Sequence, residues 1–178
     1  MKKGRWLFQL LSHYHIFRKD RDTGKAGGIA WLVHQKYLHI TKQLDIDIKG
    51  ASALQILNGS RKLFLVGVDF PPSGTLSREA LLERNDIVDR MPGLLKKLSD
   101  LGEVVLLGDT NACVGNLSDS KVIFDEPMDE DLERTLVTKW REPNYDSIGN
   151  GNGDEIISWA RAGGLWILNG RCLPKLRT

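Results

Sequence analysis

An aspartate and an asparagine stand two positions apart after a short apolar stretch, and this pair has the chemistry to hydrolyse a phosphodiester. Residues 104–111 read Val-Val-Leu-Leu-Gly-Asp-Thr-Asn. The carboxylate of Asp109 can orient and deprotonate an attacking water, and the amide of Asn111 can donate a hydrogen bond to charge that develops on the phosphoryl oxygens. Because Gly-Asp-x-Asn is also a favourable turn sequence, a purely structural role for both residues is the alternative interpretation.

The apolar residues before this pair predict a buried strand over 104–107, which would hold Asp109 where the chain opens to solvent. A helix is predicted before that strand. Ser77 is a good N-cap residue, Gly102 marks the end of the helix, and Pro92 should kink or divide it. Apolar residues at helical spacing define its buried face, namely Leu81, Val88, Met91, Leu95 and Leu98.

The upstream part of the chain is predicted to form strands. Residues 29–33 are apolar without alternation, as in a strand that is buried on both faces. Residues 45–49 alternate between charged residues and isoleucine, which predicts a half-exposed strand. Strands over 54–57 and 63–68 are predicted to form a hairpin, because Asn58-Gly59 readily supplies the positive φ angles of a tight turn.

A second helix and a last strand are predicted towards the C-terminus. Asn152 is expected to cap the helix, with Glu155 three residues later completing a capping box. Gly163-Gly164 should end the helix, and residues 165–168 should form the strand. This succession of helices and strands predicts a layered α/β fold.

The charge of the chain is small in total but unevenly distributed. The 178 residues carry a net charge of +2. Residues 1–62 contain 12 lysines and arginines against 4 aspartates and glutamates, a balance of +8, whereas residues 63–178 contain 13 against 19, a balance of −6. The basic half could contact phosphates, or it could simply be a solvated surface. The acidic run over 125–133 is interpreted as solvated rather than as a cation site.

No apolar run approaches the roughly 20 residues that span a bilayer, so the sequence predicts no membrane partner. The first residues weakly resemble a signal peptide, but Gln9 interrupts the apolar stretch and polar residues follow it without a small-residue cleavage pattern. We therefore expect an intracellular location. Nothing in the sequence specifies an oligomeric state.

Several segments, in this order, resemble the endonuclease/exonuclease/phosphatase superfamily, and within it the endonuclease domain of LINE-type (non-LTR) retrotransposons. The resemblance extends from about residue 24 to residue 171. A Gly-Gly strand, a segment similar to V-Y-x-P-P, a segment similar to G-D-F-N-A and a closing helix with its strand carry it, at residues 27–33, 66–74, 106–115, 152–157 and 164–170.

This resemblance implies a four-layer α/β sandwich, in which two packed β-sheets lie between outer helices. It also implies magnesium-dependent hydrolysis of a DNA backbone, with Asp109 and Asn111 at the positions of the catalytic aspartate and asparagine, and a location that includes the nucleus. The corresponding division of the chain is a poorly defined N-terminal segment, a partial domain that contains a long loop, and a tail, at residues 1–23, 24–173 (with the loop at 112–150) and 174–178. The domain is expected to be incomplete at both ends.

The chain departs from the family pattern at three places. Asp69 occupies the position of a tyrosine that lies near the scissile phosphate, and a carboxylate there would repel phosphate. Residues 1–26 contain no glutamate to match the magnesium ligand, so the metal ligands stay unassigned. The closing Ser-Asp-His segment has no counterpart, since all four histidines lie within the first 39 residues.

Several kinds of function remain open. The first is a fragment of a magnesium-dependent DNA endonuclease, with Asp109 activating water and Asn111 stabilising the transition state. The alternative is a catalytically inactive remnant, or a module that binds nucleic acid weakly and without sequence preference. A phosphatase that acts on a small phosphoester is a further alternative, because the superfamily includes such enzymes.

Overall fold

A computed structural model describes residues 12–20, 28–72, 74, 76–114, 149–165 and 167. The described elements are, in chain order, β1 Tyr14–Asp20, β2 Gly28–His34, a 3₁₀ helix Gln35–Ile40, β3 Thr41–Leu44, β4 Ala51–Asn58, β5 Arg61–Asp69, α1 Arg78–Ser99, β6 Glu103–Asp109 and α2 Gly151–Gly163. The acidic run over 125–133 and most of the loop predicted for 112–150 lie outside the described residues.

The larger sheet has the strand order β3-β4-β5-β6. Its first three strands are antiparallel, and β4 and β5 form the predicted hairpin. The turn lies one residue later than predicted, because Asn58 still pairs with Arg61 and the turn residues are Gly59 and Ser60. Of the predicted turn residues Asn58 and Gly59, only Gly59 has a positive φ, 61°.

Strands β5 and β6 are parallel. A parallel pair requires a crossover connection, and α1 provides it.

Helix α1 begins as predicted, since the Ser77 side chain accepts a hydrogen bond from Ala80 N. Its buried face differs in part from the prediction, because Ile87 is buried whereas Leu81 is 48% exposed. The helix is not divided at Pro92. The fully buried side chains of Met91 and Leu95 lie on either side of that proline, so packing holds both halves on one core.

A second, two-stranded sheet of β1 and β2 covers the larger sheet on the face opposite the helices. The indole Nε1 of Trp31 donates to Ser52 Oγ at 3.0 Å. A Cβ at Gly67 would lie 2.7 Å from the Trp31 ring, so the glycine leaves the space that the ring fills. Strand β1 was not predicted, because its charged sequence within residues 1–23 lacks a regular apolar alternation.

Residues 45–49 do not form the predicted strand. Their backbone groups are bonded by side chains instead of by a neighbouring strand. Lys19 Nζ donates to the carbonyl oxygens of Ile46 and Ile48, at 2.8 and 2.9 Å, and Lys49 N donates to Asp86 on α1. The alternation in the sequence reflects the packing of the two isoleucines into the core.

The start of helix α2 corrects the sequence prediction. Asn150, not Asn152, is the N-cap, and its side chain accepts from Gly153 N at 2.8 Å. The helix ends as predicted, at Gly164 with a left-handed φ of 64°. Of the strand predicted for 165–168, only Leu165 and Ile167 are described, and neither lies in a strand. Both pack against the core.

The described residues therefore form an α/β fold with two sheets, which confirms the α/β class that the sequence predicts. Helices α1 and α2 pack together on one face of the larger sheet, around a core that includes Phe70 and Trp159. On the opposite face, Val105 and Leu107 of β6 are 39% and 43% exposed. None of the described helices is long and apolar enough to cross a bilayer.

A glycine next to Asp109 sets the geometry of the parallel pair. Gly108 has a φ of +134°, and a Cβ on it would lie 1.9 Å from Val68 O on the adjacent strand. We expect Gly108→Ala to destabilise the fold by at least about 2 kcal/mol, because the strands would have to separate and the backbone would be strained. Urea unfolding measures the change. In the control Gly93→Ala, the new Cβ meets no atom within 4 Å, and a gain of about 0.5–1 kcal/mol is expected in a helix. Equal stabilities of the two variants would contradict this account.

Candidate functional site

The parallel register of β5 and β6 brings two carboxylates together. Asp69 and Asp109 are register partners at the carboxyl ends of these strands, and Phe70 N continues the ladder by donating to Asp109 O at 2.8 Å. Side chains alternate along a strand, so both aspartates lie on the face that Gly67 presents to the smaller sheet. Gly28 N, at the start of β2, donates to Asp69 Oδ2 at 3.3 Å. The two sheets therefore meet beside this carboxylate pair.

A tight turn begins at Asp109, the last residue of β6, and includes Asn111. Asn111 N donates to Asp109 Oδ1 at 3.1 Å, the side-chain-to-backbone bond of an Asx turn. Asn111 is also the one non-glycine residue of the described chain with a positive φ, 46°, a conformation that asparagine tolerates better than most residues. The turn proposed as the structural alternative is therefore present.

The turn leaves one side-chain oxygen of Asp109 and one side-chain N–H of Asn111 available to bind a ligand. Asp109 is exposed, and its Oδ2 accepts no hydrogen bond from the described residues. Asn111 Nδ2 donates to Phe70 O at 2.9 Å, which orients the amide. An amide nitrogen carries two hydrogens, so one N–H of the exposed Asn111 side chain can still donate to a ligand. The turn and the predicted chemistry are compatible in the same two residues.

Two further asparagines hold the segment that follows Asp109. Asn152 is fully buried in the first turn of α2, and its Nδ2 donates to Pro71 O at 2.9 Å and to Thr110 O at 3.2 Å. Asn150 Oδ1 accepts from Cys113 N at 3.1 Å, and Asn150 Nδ2 donates to the carbonyl oxygen of Asn111, also at 3.1 Å. These side chains tie the loops after β5 and β6 to the start of α2. We call Asn111, Asn150 and Asn152 the asparagine network.

The asparagine network is anchored in the core through an arginine and two aromatic rings. Arg84 of α1 donates to Asn152 Oδ1 at 3.3 Å, and its guanidinium lies 5.4 Å from the Phe70 ring centroid. The Phe70 ring in turn packs against Trp159 with centroids 5.0 Å apart, and both rings are fully buried. The position of the Asp109 turn therefore depends on both helices.

In the described residues, the register of β5 and β6 places one pair of carboxylates side by side at this edge, those of Asp69 and Asp109. The described residues contain no group of three or more histidine, cysteine, aspartate or glutamate side chains placed to hold a metal ion. Strand β1, which precedes the Gly-Gly segment, has Asp20 rather than a glutamate at its end, and that carboxylate is bonded to Arg18 at 2.7 Å. The β5–β6 register thus supplies two carboxylates, Asp69 and Asp109, as oxygen donors for a cation, and Asp20 lies at the end of β1 that pairs with Gly28.

None of the four histidines lies at this edge. In the smaller sheet, Gly28 pairs with Asp20 at the end near Asp69, whereas His34 pairs with Tyr14 at the opposite end. Gly28 and His34 are six positions apart along β2, so roughly 20 Å of extended strand separates them. His13, His15 and His39 flank or follow that far end. All four histidines lie in the described residues, and none is positioned as a general acid or base for Asp109.

A scan of the chain against protein-family models gives no match, and a search of curated protein sequences gives none. The resemblance to the nuclease superfamily therefore depends on the residues of its motifs.

The asparagine network generates a stability prediction. Asn152→Ala would leave the carbonyl oxygens of Pro71 and Thr110 without their donor in a buried place, so we expect a loss of about 2 kcal/mol in the free energy of unfolding. The control is Asn85→Ala on α1, because Asn85 is exposed and makes no hydrogen bond with another described side chain; a change within about 0.5 kcal/mol is expected there. If chemical denaturation gives the two variants the same midpoint, Asn152 does not support the site.

Proposed function

We propose that this chain is part of a magnesium-dependent DNA endonuclease domain of the endonuclease/exonuclease/phosphatase type, related to the retrotransposon enzymes. The observation that carries the proposal is the position of Asp109 and Asn111. Both side chains are exposed at the carboxyl end of β6, beside Asp69 and at the edge where the two sheets meet. A complete domain would be the four-layer sandwich of that family, and a DNA substrate would place it in the nucleus.

The chemical roles follow from the atoms that the turn leaves available. Asp109 Oδ2 is the group that orients and deprotonates water. The remaining N–H of Asn111 donates to a phosphoryl oxygen as negative charge develops there. Because Asn111 Nδ2 is already fixed by Phe70 O, the donor is oriented before the substrate arrives, which reduces the reorganisation needed during the reaction.

The donor chemistry at this edge fits a magnesium ion. Mg²⁺ is commonly held by one or two carboxylates, with waters and substrate phosphates completing its shell. Asp109 and Asp69 would be those carboxylates. When bound, the ion would neutralise charge on the phosphoryl oxygens. Without a cation, the same two carboxylates present like charges to the phosphate.

A second function, weak binding of nucleic acid without hydrolysis, is favoured by the balance of +8 over residues 1–62. Binding of this kind depends on the neutralisation of phosphates by lysine and arginine and falls steeply with salt. It requires neither Asp109 nor a metal ion. The two functions are therefore separable by experiment.

The first test of the endonuclease is the nicking of supercoiled plasmid DNA. We expect little or no nicking in Mg²⁺, because no histidine lies at this edge in the described residues and Asp69 replaces the tyrosine that the family places near the scissile phosphate. Whatever nicking is measured should disappear in EDTA and in Asp109→Ala. Robust nicking that Asp109→Ala abolishes would show that these departures do not limit the enzyme. Measurable Mg²⁺-dependent nicking that is equally strong in wild type and in Asp109→Ala would refute the assignment of the site.

The second test isolates the charge of Asp69. In EDTA, Asp69→Asn should raise the affinity for duplex DNA at low salt about fivefold, since a like charge about 4 Å away contributes roughly 1 kcal/mol in water. The asparagine can still accept the hydrogen bond from Gly28 N. The matched control is Asp89→Asn, which removes an exposed carboxylate from α1. Fluorescence anisotropy with a labelled duplex provides the affinities, and an equal gain in both variants would mean that DNA does not approach Asp69.

A further inference from the structure

The end of the smaller sheet that is remote from Asp109 carries a continuous group of rings and cations. The ring centroids of His13 and His34 are 6.2 Å apart in a stacked arrangement, and Tyr14 meets His34 edge-on at 5.3 Å. His34 Nδ1 accepts a hydrogen bond from Lys36 N at 3.2 Å, and Lys36 Nζ lies 4.7 Å from the centroid of the Tyr37 ring. We call these five residues the distal patch.

The aromatic rings of the distal patch are accessible rather than part of the core. Tyr14 is 41% exposed and Tyr37 is 48% exposed, and the histidines do not contribute to the buried hydrophobic cluster. The 3₁₀ helix that presents Lys36 and Tyr37 has no buried residue. Burial in the fold therefore does not explain why the rings are grouped here.

Further cations lie at the same end of the larger sheet. Strand β5 begins there with Arg61 and Lys62, and β3 contributes Lys42, two residues after the 3₁₀ helix ends at Ile40. Because side chains alternate along a strand, Arg61 lies on the face of the smaller sheet, whereas Lys42 and Lys62 lie on the helix face. All three side chains are exposed. In the part of the chain that the structure describes, the ion pairs engage Arg18, Arg90 and Lys96, and none includes these cations or Lys36. Their positive charge is available to a partner.

We propose that the distal patch binds single-stranded nucleic acid. Exposed aromatic rings offer stacking surfaces to unpaired bases, and neighbouring lysines and arginines contact the backbone, which is the usual combination in proteins that bind single strands. A duplex keeps its bases stacked inside the helix and offers only phosphates, so the rings favour the single strand. This site is separate from the Asp109 edge and does not require the chain to be a nuclease.

Fluorescence anisotropy with a labelled oligothymidine of about 15 nucleotides, near the upper site size of a single stacking groove, tests the proposal on the full chain at low salt. Tyr37→Leu should weaken binding roughly fivefold or more, as expected when one base loses its aromatic partner, whereas Tyr37→Phe should retain it. Lys36→Gln should weaken binding and also reduce the salt dependence, because one phosphate contact is lost. Because Tyr37 is exposed, matched melting curves for all variants are expected.

A matched control assigns the effect to this surface. Arg78→Gln removes one exposed charge from the first residue of α1, outside the distal patch, and should not weaken the binding of oligothymidine. A loss in Arg78→Gln equal to that in Lys36→Gln would move the contact away from the distal patch. Equal binding by Tyr37→Leu and Tyr37→Phe, or a preference for a duplex or for anionic lipid vesicles over the single strand, would overturn the proposal.

Discussion

The candidate site depends on the parallel pairing of β5 with β6, because this pairing brings its two carboxylates together. A parallel pair aligns the carboxyl ends of its strands, so Asp69 and Asp109 become neighbours although 40 residues separate them. Helix α1 has to cross over between the two strands, and its buried face then forms the core beneath them. Gly108 permits the close approach that the pairing requires, since a side chain there would collide with Val68 O.

The asparagine network holds the loops after β5 and β6 at the edge where Asp69 and Asp109 meet. Loops after strands expose backbone groups that need partners, and here side-chain amides supply them from α2 and from the turn itself. Asn111 is both a structural donor and a candidate catalytic donor, because its amide nitrogen has two hydrogens and only one is used by Phe70 O. The structural and the catalytic interpretations of Gly-Asp-x-Asn are therefore not exclusive. A turn that fixes the amide also prepares it to meet a phosphoryl oxygen.

Elements with a strong local pattern were predictable from the sequence. The apolar runs at 63–68 and 104–107 form strands and Ser77 is the cap, as predicted. The strand over 104–107 is covered on one face only, since Val105 and Leu107 are exposed. The N-cap of α2 was assigned to Asn152 instead of Asn150, since both asparagines satisfy the local rule. The partners of Asn152 lie 81 and 42 residues away, and no local pattern specifies them. The strand predicted for 45–49 failed for a related reason, because Lys19 supplies its hydrogen bonds from β1.

The central claim is that the edge formed by Asp69, Asp109 and Asn111 binds a divalent cation and, with it, a phosphodiester. Paramagnetic broadening by substoichiometric Mn²⁺ in a ¹⁵N–¹H NMR spectrum measures the position of such a cation directly. The backbone amides of Gly28, Asp69, Asp109 and Asn111 should broaden first, and excess Mg²⁺ should restore them. Selective broadening of the acidic run over 125–133 or of residues 45–47, with the amides of the edge left sharp, would contradict the central claim.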